Sequence, residues 1–203
     1  LGNQGNMIYE FIQKKFNKSA IKVYDFKNIN SQNIIENIKD IDFLEIESHK
    51  YDLIISNIML CLSNNLENLL HKIINSLIPN GFFLATIPSS ENFYSLKSAM
   101  IKTDIEIYGG AYNRFNRSID LQQLIEILKK KNYTNPSVNL EKIKLEYQTF
   151  DKLLLDVRSM NLSYYHIDKK NTFEKKKYFE KLEKNFIKNK NNNFDLTSNF
   201  YLI

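Results

Sequence analysis

What this chain of 203 residues has little of already narrows what it can be. It holds one cysteine, Cys61, so no internal disulfide is possible and a reducing compartment, the cytoplasm, is the expected location. No apolar run approaches the ~20 residues that a membrane helix needs. The first residues lack the basic-then-apolar pattern of a secretory signal. The three histidines, His49, His71 and His166, share no spacing suited to a metal site or a catalytic triad, and no metal is expected. Glycine, proline and arginine are scarce while asparagine, isoleucine and lysine abound. That bias fits an AT-rich genome and carries no chemical meaning.

What is present is ordinary for a globular protein: 43% hydrophobic and 25% charged residues. The length suits one well-buried domain over 1–203. The net charge of +5 is local. Nine lysines against three glutamates between Lys169 and Lys190 give that segment +6 and leave the remainder at −1. Phe173, Tyr178, Phe179, Leu182 and Phe186 partly repeat there at helical spacing, so the segment reads as a lysine-coated amphipathic helix. A docking face for an acidic partner is the second reading, and nucleic acid is not expected.

The apolar periodicity predicts alternating elements. Met7 to Phe16 reads as a helix with Ile8, Phe11, Ile12 and Phe16 on one face, and Ala20 to Phe26 as a strand. Tyr51 to Asn57 is nearly continuous in apolar residues, as in a strand buried on both faces. Asn65 to Leu77 carries Leu66, Leu69, Leu70, Ile73, Ile74 and Leu77 on one helical stripe. It ends at Pro79-Asn80-Gly81, read as a turn, before the strand Phe82 to Ile87. Ile119 to Lys131 is a second amphipathic helix with Asp120 as its N-cap. A strand over Val138 to Tyr147, a helix over Phe150 to Met160 and a closing strand over Phe194 to Ile203 follow. Such alternation means βα units and a largely parallel sheet, with ligands outside the carboxyl ends of the strands.

Residues at those ends are the site candidates. Gly2 and Gly5 lie in a glycine-bearing turn before the first helix, where backbone N–H groups can approach a ligand. Asp25, followed by Phe26, ends the next strand about twenty residues later, where a carboxylate can take ribose hydroxyls. Asp40 and Ile41, which precede the Tyr51 strand, offer an acceptor for an adenine amine and an apolar wall, and Asn57 ends the buried strand. Each could equally be a plain loop or cap residue; their order and spacing favour a nucleoside site. The turn Leu1 to Asn6 cannot be written Gly-x-Gly-x-x-Gly, which argues against a pyrophosphate cofactor.

The stretch YDLIISNIMLCLSNNLENLLHKIINSLIPNGFFLATIP (residues 51–88) resembles the middle of class I S-adenosylmethionine-dependent methyltransferases. Glu91 to Leu96, Gly109-Gly110 and Leu153 to Met160 resemble one branch of that family, the malonyl-carrier-protein methyltransferases and the complex I assembly factors of methyltransferase type. The resemblance implies an α/β, Rossmann-like fold: a mostly parallel sheet with Phe194 to Ile203 inserted antiparallel beside the Val138 strand. It implies a cofactor half (1–88), an acceptor half (89–203) and S-adenosylmethionine as cofactor, with Gly2, Gly5, Asp25, Phe26, Asp40, Ile41 and Asn57 around it. The chain departs from the family in a shorter first loop, a first strand truncated or missing, Cys61 where His or Gln is usual, and Asn161 where Gly is usual.

The activity implied is methyl transfer to a small molecule or to an acidic carrier- or protein-borne acceptor. A hydroxylase of the assembly-factor kind, or a non-catalytic binding module, is the alternative. All three arginines, Arg114, Arg117 and Arg158, fall in the acceptor half, where a guanidinium could grip a carboxylate, with Arg114 and Arg158 the leading candidates. Tyr112 and Tyr94 are candidate lid aromatics, and Gly109-Gly110 a hinge before them. Cys61 reads as a small buried apolar residue.

Overall fold

The computed structural model describes residues 7–16, 20–25, 35–37, 39–116, 118–160 and 174–203. Its elements begin with α1 (Met7–Lys15), β1 (Val23–Asp25), β2 (Ile35–Asn37), β3 (Tyr51–Asn57), α2 (Leu66–Ser76) and β4 (Leu77–Pro88). They continue with α3 (Tyr94–Tyr108), α4 (Leu121–Lys130), β5 (Asn139–Tyr147), α5 (Phe150–Ser159), α6 (Lys176–Asn185) and β6 (Phe194–Leu202). Single 3-10 turns stand at Ile41–Phe43 and Met59–Leu62. One sheet pairs β1 with β2 in parallel; the other has the order β3-β4-β6-β5. β3 and β4 are parallel. Ala85 and Ile203 exchange both backbone hydrogen bonds, at 3.1 and 2.9 Å, which only directly opposed antiparallel residues do. The closing strand is therefore inserted antiparallel next to β5, as expected, in a Rossmann-like α/β fold. Among the described residues no strand precedes α1.

The chain divides into two compact units. The first comprises 1–87, 119–139 and 201–203, and the second 88–118 and 140–200. In the first, α2 and α4 drive Leu69, Leu70, Ile73, Leu124 and Leu128 into one core with Leu60 and Ile87. Each such side chain contributes ~1.5–3 kcal/mol by leaving water. Asn65 caps α2 by accepting from the Asn68 N–H at 3.0 Å, and Asp120 caps α4 by accepting from the Gln123 N–H at 2.8 Å, as its sequence position predicts. In the second unit, Phe150, Phe186 and Phe194 meet with ring centroids 5.3 to 5.8 Å apart, locking the ends of α5, α6 and β6 together.

Several local expectations are corrected. Phe11 and Phe16 are exposed, so α1 buries its Ile8 and Ile12 side only in part. In β3, Ile54 and Ser56 are buried while Tyr51, Leu53, Ile55 and Asn57 are half-buried, so full burial is confined to one face. β5 lies at the end of the sheet order, and Leu140 and Ile143 are exposed there. Pro79-Asn80-Gly81 lies inside β4, which begins directly at the end of α2. The β3–β4 register shifts there, from Tyr51↔Leu77 to Leu53↔Phe82. Asn80, not Gly81, takes the positive φ, 65°. Gly81 is needed for close approach instead: a Cβ would lie 3.0 Å from the Ile78 carbonyl oxygen and 3.1 Å from that of Tyr51. The fifteen-residue α3 has no counterpart among the periodic segments, because it is apolar on more than one face.

Candidate functional site

The parallel pairs define a carboxyl edge. β1 and β2 end together at Asp25 and Asn37, and β3 and β4 place Asn57 opposite Thr86. Of Asp25 only the backbone is described, at the last position of β1. Gly2, Gly5 and Phe26, and with them the expected glycine turn, lie outside the described residues.

Asp40 stands just beyond β2 and caps the turn Ile41–Phe43, its Oδ1 accepting from the Asp42 N–H at 2.9 Å. The expected apolar wall is not open: Ile41 is 1% exposed and belongs to the core of the first unit. Asp42, which sequence reasoning passed over, ties this turn to the start of α2. Its carboxylate accepts from the Ser63 hydroxyl and from the N–H groups of Asn64 and Asn65 at 2.8 and 3.4 Å. Partial burial alone would raise the Asp42 carboxyl, but these donors outweigh it and hold it below the ordinary carboxylate range. Lys72 Nζ donates to the Asp42 and Leu44 carbonyls at 2.7 and 3.3 Å. The loop after β2 is thus held from three directions.

The end of β3 is held as firmly. Asn57 Oδ1 accepts from the Thr86 hydroxyl at 2.8 Å, and that hydroxyl oxygen accepts from the Ile58 N–H at 3.0 Å. Ile58 has φ 63°, the left-handed region, unusual for a β-branched residue and worth ~1–3 kcal/mol of strain. Such strain persists only where neighbours impose it, and it is frequent at ligand clamps. Cys61 is buried below this corner, its Sγ donating to the Ile58 carbonyl at 3.0 Å, consistent with a packing residue. Ser56, one residue before Asn57, is buried and its hydroxyl has no hydrogen-bond partner among the described residues. Neither Ile58 nor Ser56 was legible in the sequence, since nothing in an apolar run marks a left-handed turn or an unpaired hydroxyl.

In the second unit Arg114 is committed internally. Its Nε donates to both oxygens of the fully buried Asp104, at 3.1 and 2.9 Å, and its Nη2 to Asp104 and, at 2.8 Å, to Glu174. The Arg114 guanidinium lies 4.5 Å from the Tyr178 ring centroid. Burial alone would lower the affinity of Arg114 for its proton; the two carboxylates more than reverse that. Asp104 also accepts from the Tyr112 N–H at 3.1 Å, and Tyr108 donates to Glu174. Arg158, at the exposed end of α5, lies 5.4 Å from the Phe179 centroid. Arg117 and His166 lie outside the described residues. Tyr94 and Tyr112 are exposed. Gly109, expected as a hinge, is the left-handed C-cap of α3 at φ 76°, its N–H bonded to the Ile105 carbonyl. Among the described residues no three His, Cys, Asp or Glu side chains gather as metal ligands, and no helix is long and apolar enough to cross a membrane.

No family model matches the sequence. Among curated proteins the chain is 33% identical over 115 residues to the mitochondrial arginine-hydroxylase NDUFAF5 of Dictyostelium discoideum, covering 57% of this chain and 26% of that protein. The human protein of the same name is 23% identical over 169 residues, covering 80% of this chain and 49% of the other. The chain thus spans about half or less of the length of these relatives. Among solved structures, a candidate methyltransferase of Bacillus halodurans superposes with a TM-score of 0.57 at 9% identity, over 94% of this chain and 84% of the other. Phosphoethanolamine N-methyltransferase 2 of Haemonchus contortus, solved with S-adenosyl-L-methionine, superposes with a TM-score of 0.52 at 16% identity, over 100% of this chain and 47% of the other. Together with the parallel strands and the inserted antiparallel β6, these likenesses show that the chain has the fold of the class I S-adenosylmethionine-dependent methyltransferases.

Proposed function

We propose that this chain binds S-adenosylmethionine and transfers its methyl group to a small-molecule or protein-borne acceptor. The observation that carries this reading is the carboxyl edge: Asp25 closes β1, Asp40 follows β2 and Asn57 closes β3. In sheets of this class ligands bind outside those ends. The donor set fits the cofactor. Carboxylates suit ribose hydroxyls, an adenine amine and a sulfonium cation, whereas a pyrophosphate would need a glycine-rich loop of a different pattern. Asp25 takes the ribose hydroxyls. Asp40 spends Oδ1 on its cap and keeps its second oxygen for the adenine amine. Gly2, Gly5 and Phe26 complete the cofactor side.

S-adenosylmethionine, held by Asp25 and Asp40, would supply a methyl group already activated on a positively charged sulfur and would leave as the neutral thioether. The protein's task is then alignment, with a base needed only for a protonated acceptor. With Arg114 engaged by Asp104 and Glu174, Arg158 is the arginine we assign to an acidic acceptor, and Tyr112 the aromatic beside it in function. Cytoplasmic location stays our reading from cysteine usage; the named relatives are mitochondrial.

The second reading, hydroxylation of a partner's arginine, rests on the name that the curated relatives carry. Calorimetric titration with S-adenosylmethionine and its demethylated product tests the first step. Binding of both, weakened in Asp25→Ala, supports the cofactor site, and absence of any binding removes methyl transfer. Methyl transfer from labelled cofactor into an acidic carrier, lost in Arg158→Lys, would support the acceptor assignment. Labelled cofactor bound without any transfer, together with oxygenation of an arginine peptide, would favour the hydroxylase.

A further inference from the structure

α3 has two apolar faces. Leu96, Ala99 and Thr103 are buried on one side. At ~100° per residue, Tyr94, Ile101 and Ile105 fall within ~40° of one another on the opposite side. These three are 71%, 49% and 55% exposed. The stripe spans three turns of the helix, with the small, exposed Ser98 in the turn between Tyr94 and Ile101. Outward apolar side chains on one line of a helix mark a surface that a partner can cover.

The charges beside the stripe are of one sign. Lys97 flanks it on one side and Lys102 on the other. Among the described residues Lys97 Nζ meets the Ser90 carbonyl at 3.4 Å and the Phe115 ring centroid at 5.5 Å, and no carboxylate. The two carboxylates of α3 are already used: Asp104 by Arg114, and Glu106 by Lys181 at 2.9 Å and Asn185 at 3.0 Å. α6, which those Glu106 contacts bind to α3, is of mixed sign: Lys177 and Lys184 are exposed beside Glu180 and Glu183, and Lys176 and Lys181 are paired with Glu180 and Glu106. The charge that borders the stripe is therefore that of α3's own lysines. Two copies docked α3 to α3 would bring lysine against lysine with no spare carboxylate on the helix to answer them, which disfavours a homodimer through this face. An apolar stripe bordered by Asp and Glu meets both requirements.

We propose that the outer face of α3, Tyr94, Ile101 and Ile105 between Lys97 and Lys102, docks an acidic amphipathic helix of a partner protein. The partner lays apolar residues at i, i+4, i+7 and i+11 along ~16 Å of α3, with its carboxylates reaching the two lysines. This surface does not depend on cofactor binding.

The probe is a fluorescein-labelled peptide of about 18 residues, long enough for ~27 Å of helix, with leucines in one stripe and glutamates elsewhere. Its counterpart has lysine in place of every glutamate. Fluorescence anisotropy with the full chain should show binding of the acidic peptide only, weakening as salt rises. Ile101→Glu and Ile105→Glu should each raise Kd by roughly tenfold or more, with unchanged circular dichroism and melting, because both side chains are exposed. The double variant Lys97→Glu/Lys102→Glu should shift preference to the lysine peptide. No binding of the acidic peptide, equal binding of both peptides, or indifference to the isoleucine substitutions overturns the proposal. So does light scattering that shows a dimer dissolved by Ile105→Glu, which would assign the face to a second copy.

Discussion

Arg114 and Asp104 form a bidentate pair in which the carboxylate is fully buried and the Arg114 side chain is 17% exposed. Such a pair anchors the chain after α3 to the helix itself. Arg114→Ala leaves the Asp104 carboxylate buried without the guanidinium that pairs it and should cost ~3–5 kcal/mol in chemical denaturation. Asp104→Ala leaves Arg114 its ion pair with Glu174 and should cost less, and the double variant much less than the sum of the two. Additive losses would show that the pair is not coupled.

Asp25 is the carboxylate on which the cofactor assignment depends most. Hydrogen bonds to a charged group are worth ~1.5–3 kcal/mol, so Asp25→Ala should weaken S-adenosylmethionine about ten- to a hundredfold without changing the melting temperature. Calorimetry on both proteins decides this, and unchanged affinity takes Asp25 out of the site.

Thr86 holds the strained corner after β3, accepting from Ile58 and donating to Asn57. Thr86→Val keeps the shape and deletes both bonds. It should destabilise by ~1–3 kcal/mol, whereas Thr86→Ser retains most of the stability. Urea unfolding of the two variants distinguishes loss of the hydroxyl from loss of the methyl.

The hydrogen bonds on Asp42 give stability a pH dependence of known sign. Its folded-state pKa is depressed, so the contribution is present above the ordinary value of 3.8 and is lost as pH falls through the lower folded value. In a melting series below about pH 4, the parent should lose stability more steeply than Asp42→Asn, which has no such proton to gain. Parallel curves would mean that Asp42 is equally solvated in both states.

A Cβ at Gly81 would press on the Ile78 and Tyr51 carbonyls at 3.0 and 3.1 Å, so the backbone there must give way by a few tenths of an ångström. Gly81→Ala should cost ~1–3 kcal/mol through overpacking at the β3–β4 register shift. A thermal shift assay with unchanged melting would indicate that the strand end relaxes freely.

The elements legible in the sequence were those whose burial repeats with one period. The stripe of α2, the Asp120 cap of α4 and the run of β3 are local patterns, and the structure places them within a residue or two of the expected bounds. The strand-end places of Asp25 and Asn57 were legible for the same reason: a residue that closes a strand stays at its end in any α/β sheet. The short β2 was not, and with it the place of Asp40 just beyond a strand end. α3 escaped because two apolar faces cancel the periodic signal, and only folding shows that one face is buried and the other is not. The fate of Arg114 was equally out of reach. Its partners stand ten and sixty residues away, and a guanidinium's role is set by which carboxylates the fold brings to it. Ile58 makes the same point at the backbone. Its own side chain disfavours the left-handed turn it adopts, and Thr86, twenty-eight residues on, imposes it. Local composition and periodicity determined which segments would be helix and strand, while the pairing of distant polar groups, which has no period, was decided by the tertiary structure alone.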